Sequence, residues 1–148
     1  MIYAKNPTLR RTTTRRATTV PELAMVLPIV LVFLFGTLDF AQVMYAYGTV
    51  SEAARVGARY AMVHGYNSAA PVGPTANDAT VASTVQTAAL ALNASQLTIT
   101  SSWGAGDNAA GSPVTVTASY KVYLSVAGLV GLGSSVTVSG TTTMLITH

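Results

Sequence analysis

The stretch RRATTVPELAMVLPIVLVFLFG, Arg15 to Gly36, sets two adjacent cations and one carboxylate, Glu22, ahead of a run with no other charge. A carboxylate at the edge of hydrocarbon costs up to a few kcal/mol unless it is neutralised or paired. On the first turn of a helix the macrodipole offsets about 0.3 to 1 kcal/mol of that. The chemistry open to Glu22 is therefore recognition of a cation in low dielectric. The other candidate groups do not converge. His64 and His148 lie far apart with no carboxylate at ligand spacing, which argues against a metal site. Glu52, Arg55 and Arg59 stand three and four apart, the pattern of a solvated helical ion pair worth a few tenths of a kcal/mol. GLVGLGSS holds glycines but precedes a strand pattern and lacks the lysine of a phosphate loop. Serine and threonine are abundant without a His–Asp set. With no cysteine there is no disulfide, thiolate nucleophile or thiolate metal site. These residues point away from an enzyme, a cofactor or a small-molecule substrate.

Half of the 148 residues are apolar and only 9% are charged, too few charges for an ordinary soluble protein. Of the eight Lys and Arg residues, Lys5, Arg10, Arg11, Arg15 and Arg16 precede the apolar run, with no acid among them. The net charge of +3 is thus a property of the leader. A nucleic-acid surface needs basic residues spread over a folded face, so nucleic acid is not an expected partner.

The elements that must position Glu22 begin with that run. Leu23 to Leu38 is free of charge and, as a helix, rises about 24 Å, short of the ~30 Å hydrocarbon core of a bilayer. The span must borrow from its flanks, with Asp39 near the far interface or the helix tilted. All nearby positive charge precedes it, so the positive-inside tendency places Met1 in the cytoplasm and everything after Asp39 outside. A secretory signal peptide is the competing reading, but the apolar run exceeds a usual h-region and its far side continues as helix. Phe40, Val43, Tyr47, Val50, Ala54, Gly57 and Ala61 recur at spacings of three and four, an inward stripe that the rest of the chain must cover. One rod is expected from residue 18 to 64, embedded in membrane to about residue 39.

Residues 65–77, GYNSAAPVGPTAN, read as a turn-rich linker. Asn77 or Asp78 can cap a short helix reaching about Leu92, with Val81, Val85, Ala88 and Leu92 on one face. Three strand patterns follow: Gln96 to Ser101, Val114 to Val126 and Val136 to Thr147. In the second, Val114, Val116, Ala118, Tyr120, Val122, Leu124 and Val126 share a face; in the third, Val136, Val138, Met144 and Ile146 do. The loops at Trp103 to Pro113 and AGLVGLGSS leave no crossover helix, so an antiparallel order is expected. The fold class is α+β: a long N-terminal transmembrane and amphipathic helix with a head, residues 78–148, of one short helix and a roughly three-stranded antiparallel sheet.

TTVPELAMVLPIVLVFLFGTLDFAQ, with Glu22, Pro28, Gly36, Asp39 and Phe40 in step, resembles the TadE-like family of pilin-related proteins from tight-adherence pilus systems. SEAARVGARYAMVHG, Ser51 to Gly65, is similar to the segment that follows in that family. The resemblance is specific over the first fifty or so residues and modest in the head.

Processing follows from the resemblance. Prepilin peptidases cut on the cytoplasmic side after a small residue, leaving glutamate at the fifth position of the mature chain. Counted back from Glu22, the cut falls between Ala17 and Thr18, removing residues 1–17, with Arg15 and Arg16 just upstream. The resemblance implies that Glu22 pairs with an amine freed at Thr18, on its own or a neighbouring chain, and sets register during assembly. Pro28 removes one helical donor and clashes with the preceding turn, which gives a kink; a weak point for leaving the bilayer is the functional version. The implied partners are the lipid bilayer, a prepilin peptidase, other pilin-like subunits and the inner-membrane assembly platform. An uncleaved single-pass envelope protein with a binding head is the alternative.

Overall fold

The computed structural model describes residues 19–129, 131 and 133–147. Its first element, α1, runs Thr19–Val63 without a break, 45 residues or about 68 Å. The lower half is an uninterrupted apolar run, and a helix satisfies its backbone polar groups internally, as a membrane-crossing segment requires. The upper half is alanine-rich, and alanine is the best helix former. The helix ends where His64 N–H turns back to the Ala61 carbonyl (3.3 Å) and the His64 carbonyl accepts from Val72 N–H (2.8 Å).

The head packs on the upper half of α1. Helix α2, Ala79–Ala88, is capped by Asp78, as expected from the sequence, but stops short of Leu92. It buries Val81 and Val85, while Ala88 is exposed and Ala89 takes the inward position. A 3-10 turn, Ala94–Gln96, capped by the Asn93 side chain, delivers the chain into β1, Leu97–Trp103. Then come β2, Pro113–Tyr123, helix α3, Ser125–Leu129, and β3, Ser135–Leu145. The three strands form an antiparallel meander in the order β1-β2-β3, with Ile99 opposite Ala118 and Ala118 opposite Gly140. The architecture is the α+β one that the periodicities predict.

One face of the sheet covers α1. Val114, Val116, Ala118 and Val122 of β2 are buried with Val138 of β3, and each fully buried valine contributes about 1.5–3 kcal/mol. The outer face is hydroxyl-rich, with Thr115 paired to Thr143 (2.8 Å) and Thr117 to Thr141 (3.0 Å) across the strands. These pairs stabilise β2 against β3 from the solvent side.

The helix presents a different stripe from the one its large side chains suggest. Phe40 and Tyr47, expected inward, are 65% and 52% exposed. The buried line is Asp39, Ala46, Val50, Ala53, Ala54, Ala58 and Ala61, with Val43 half-buried beside it. Small residues win because the sheet lies too close for large ones: a Cβ on Gly140 would come within 2.8 Å of the Ser51 backbone nitrogen. A Cβ on Gly57 would likewise collide with the Val85 side chain.

The strand limits also move. Strand β1 extends to Trp103 rather than Ser101, and Gln96 belongs to the turn before it. Strand β2 ends at Tyr123, so Val126 is on α3 rather than on a strand face. Val136, at the start of edge strand β3, stays 41% exposed instead of joining the core.

Candidate functional site: the lower half of the long helix

Glu22 sits on the first turn of α1, exposed, with a helix N-terminus behind it. That turn is where a carboxylate gains from the macrodipole. Around and above it Leu23, Met25, Ile29, Val30 and Phe33 are all exposed. Only 6% of this most apolar window is buried within the chain, and the helix is long and apolar enough to cross a membrane. A helix apolar all round and uncovered by its own protein is a surface for lipid or for other chains. Arg15, Arg16, Ala17 and Thr18 lie outside the described residues.

Pro28 lies inside α1, six residues above Glu22 or about 9 Å along the axis. Having no N–H, it leaves the Ala24 carbonyl without its helical donor. The structure therefore places Glu22 and Pro28 on one continuous helix, within two turns of each other, at its exposed end.

Asp39, expected near the far interface, makes a contact that sequence reasoning does not foresee. It is 7% exposed, enclosed by the head. Its two carboxylate oxygens accept the backbone N–H groups of Ser125 (3.1 Å) and Val126 (2.9 Å), the opening donors of α3. This is the work of an N-cap performed by a residue from a distant element, and it explains why β2 gives way to helix at Leu124. The available signal was an acid facing the same way as Val43 and Ala46, three to four residues apart on the stripe. Beside this bond runs an apolar groove of about 380 Å³, lined by Val32, Gly36, Phe40 and Val43 of α1 and by Leu124, Val126 and Ala127.

The two loops at the far end of the head are tied to each other. Tyr66 N–H donates to the Asn108 carbonyl (2.9 Å), and Asn108 Nδ2 donates to the Val72 carbonyl (3.1 Å). Trp103 is buried, its indole against Gly73, whose φ of +74° and missing Cβ permit the approach. Asp78 receives N–H bonds from Gly73, Thr80 and Val81 at 2.8–3.1 Å. Burial pushes its carboxyl up, but these donors outweigh burial and hold it below its ordinary value. Glu52 and Arg55 form an exposed pair at 3.5 Å. His64 stacks on Tyr60 at 4.0 Å, and its Nδ1 lies 2.9 Å from the Tyr60 carbonyl. None of these groups is arranged around a space where a substrate could react.

Residues 17–59 match the family described as TadE-like protein, the family that the opening residues resemble. The match begins at Ala17, runs through Glu22, Pro28 and Asp39, and ends at the exposed Arg59, one residue past buried Ala58. It supports a pilus-associated, pilin-like structural protein with a membrane-anchoring helix. No curated protein and no solved structure matches the chain.

Proposed function

We propose that this chain is a minor pilin-like subunit of a tight-adherence type IV pilus or related secretion machine, contributing to pilus assembly and adhesion. In this reading it enters the inner membrane as a single-pass protein with a cytoplasmic N-terminus and an extracytoplasmic head. A prepilin peptidase cuts between Ala17 and Thr18, releasing the basic leader with Arg15 and Arg16. Glu22 then becomes the fifth residue of the mature chain and pairs with an N-terminal amine during assembly with other pilin-like subunits on the inner-membrane platform.

The observation that carries the reading is the TadE-like match over residues 17–59, whose first residue flanks the proposed cut. An exposed Glu22 on the first helical turn agrees with it, since a carboxylate there is open to a partner from another chain.

Intact mass and N-terminal sequencing of the protein from its native cells test the proposal. A mature chain starting at Thr18 is expected. A chain retaining Met1 would overturn maturation and leave a membrane-anchored head that binds another envelope component.

A further inference from the structure

Helix α3 lies beside the apolar run of α1. It shares its groove with Val32 and Gly36, which belong to the apolar run of α1 and precede Asp39 by seven and three residues. Seven residues of helix are about 10 Å. If the run Leu23–Leu38 occupies hydrocarbon, the side chains of Val126 and Ala127 reach beyond the level of Asp39 toward the membrane interior. The two bonds from Asp39 fix α3 there.

We propose that α3 is a second membrane contact, an apolar turn of the head seated in the outer-leaflet interface beside the transmembrane helix, with the lipid surface as its occupant. The inference rests on the reading of Leu23–Leu38 as membrane-spanning.

Three features favour lipid. The groove continues a helix surface that is itself apolar and uncovered, so the bilayer that meets Val32 and Gly36 meets Val126 without a break. From Leu124 to Thr147 the sequence carries no Asp, Glu, Lys or Arg, and the one carboxylate lining the groove, Asp39, is already buried and hydrogen-bonded by α3, so the segment brings no further charge to be desolvated. Just above α3, at the end of β2, the Lys121 ammonium stands 5.4 Å from the centre of the exposed Tyr123 ring. Exposed Tyr45 of α1 lines a shallow cleft with both. Tyrosine rings and a lysine whose stem can snorkel are the side chains that collect at headgroup level. The contact also answers the shortness of the run, since α3 adds apolar surface where sixteen helical residues fall below the bilayer thickness.

The chain has no cysteine, so single labels are unambiguous. The full chain is labelled with an environment-sensitive fluorophore at Gly128→Cys on α3, at Val30→Cys in the apolar run and at Ser102→Cys near the far end of β1. A Cβ at Gly128 meets nothing closer than 3.7 Å, so the fold accepts it. Each protein is reconstituted in phosphatidylethanolamine and phosphatidylglycerol vesicles carrying lipid-borne quenchers at shallow or deep positions. The expected result is loss of emission at residue 30 with deep quenchers, loss at residue 128 with shallow ones, and loss at residue 102 only with aqueous iodide. Iodide quenching at 128 equal to that at 102, with residue 30 still lipid-quenched, would overturn the proposal and leave the anchor standing. A label at 128 shielded from both lipid quencher and iodide would also overturn it, in favour of a second protein copy. Loss of lipid quenching at residue 30 as well would remove the membrane reading beneath it.

Discussion

The carboxylate of Asp39 accepts the backbone N–H of Val126 at 2.9 Å, across 87 positions of sequence. With the companion bond from Ser125, it makes one side chain of α1 responsible for where β2 stops and α3 starts. Asp39→Ala leaves two donors without their acceptor, and hydrogen bonds to a charged group are worth about 1.5–3 kcal/mol each. The variant is expected to lower the melting temperature of the membrane-reconstituted protein, and Asp39→Asn, which keeps one acceptor oxygen, to fall between the two. A melt unchanged in Asp39→Ala would show that α3 is held by its packing alone.

Gly57 and Gly140 mark the closest approaches to α1, and their substitution should rank by what stands opposite. At Gly57 an added methyl gains about 0.8–1 kcal/mol of helix propensity but overlaps Val85, a stiff and fully buried side chain. Overpacking costs about 1–3 kcal/mol, so Gly57→Ala is expected to be mildly destabilising, with Val85→Ala in the same chain relieving the clash. At Gly140 the obstacle is the Ser51 backbone, which cannot rotate away. Gly140→Ala should therefore cost more than Gly57→Ala in denaturant unfolding of the head, and equal losses would contradict the geometry.

Asp78 gives the head an acid limit. Its folded value lies below the ordinary 3.8, so its contribution is complete above that pH and is lost as pH falls through the folded value. Wild type should lose stability on acidification below about pH 4. Asp78→Asn keeps one acceptor oxygen for Thr80 and Val81 but turns an amide donor toward the Gly73 N–H, so it is expected to flatten that limb at a cost in neutral stability below that of Asp78→Ala, which should be about 1 kcal/mol. Thermal melts between neutral pH and strong acid read both, and an Asp78→Asn profile parallel to wild type would rule out this source of the limit.

For Glu22, the discriminating variant removes charge without touching the proposed cut. Glu22→Ala is expected to leave the Ala17–Thr18 cleavage intact while abolishing co-purification with filaments, whereas a bystander on the first turn would change neither. Pro28→Ala restores the donor to the Ala24 carbonyl and should straighten the lower helix. Unchanged incorporation into filaments would confine the proline to a local bend.

What could be read from sequence is what repeats along the chain. The strict alternation of Val114, Val116, Ala118 and Val122 and the unbroken apolar run each encode their element locally, and both appear in the structure. The buried stripe of α1 could not be read the same way. Hydrophobic size favoured Phe40 and Tyr47, but the closeness of Gly140 to Ser51 selects alanine, and that distance is set by an element nearly ninety positions away. Helix α3 was hidden for the same reason: its five residues carry no cap of their own, because the cap is Asp39. At the candidate site, the placement of Glu22 and Pro28 on one helix was legible, because the apolar run around them encodes that helix locally. The partner of Asp39 was not, since nothing near it in sequence names Val126.

The uneven cover along α1 has a mechanical side. Above Asp39 the rod is braced by two strands and a helix; below it, among the described residues, only Val126 and Ala127 of α3 come alongside, at the level of Val32 and Gly36. Such an object is a cantilever, clamped at Asp39 and free at Glu22. A load on the head is delivered whole to the unsupported arm, and the arm is most compliant at Pro28, where the backbone lacks one strut. The direction in which the stem leaves the head is thus stiff at its root and adjustable only near its tip.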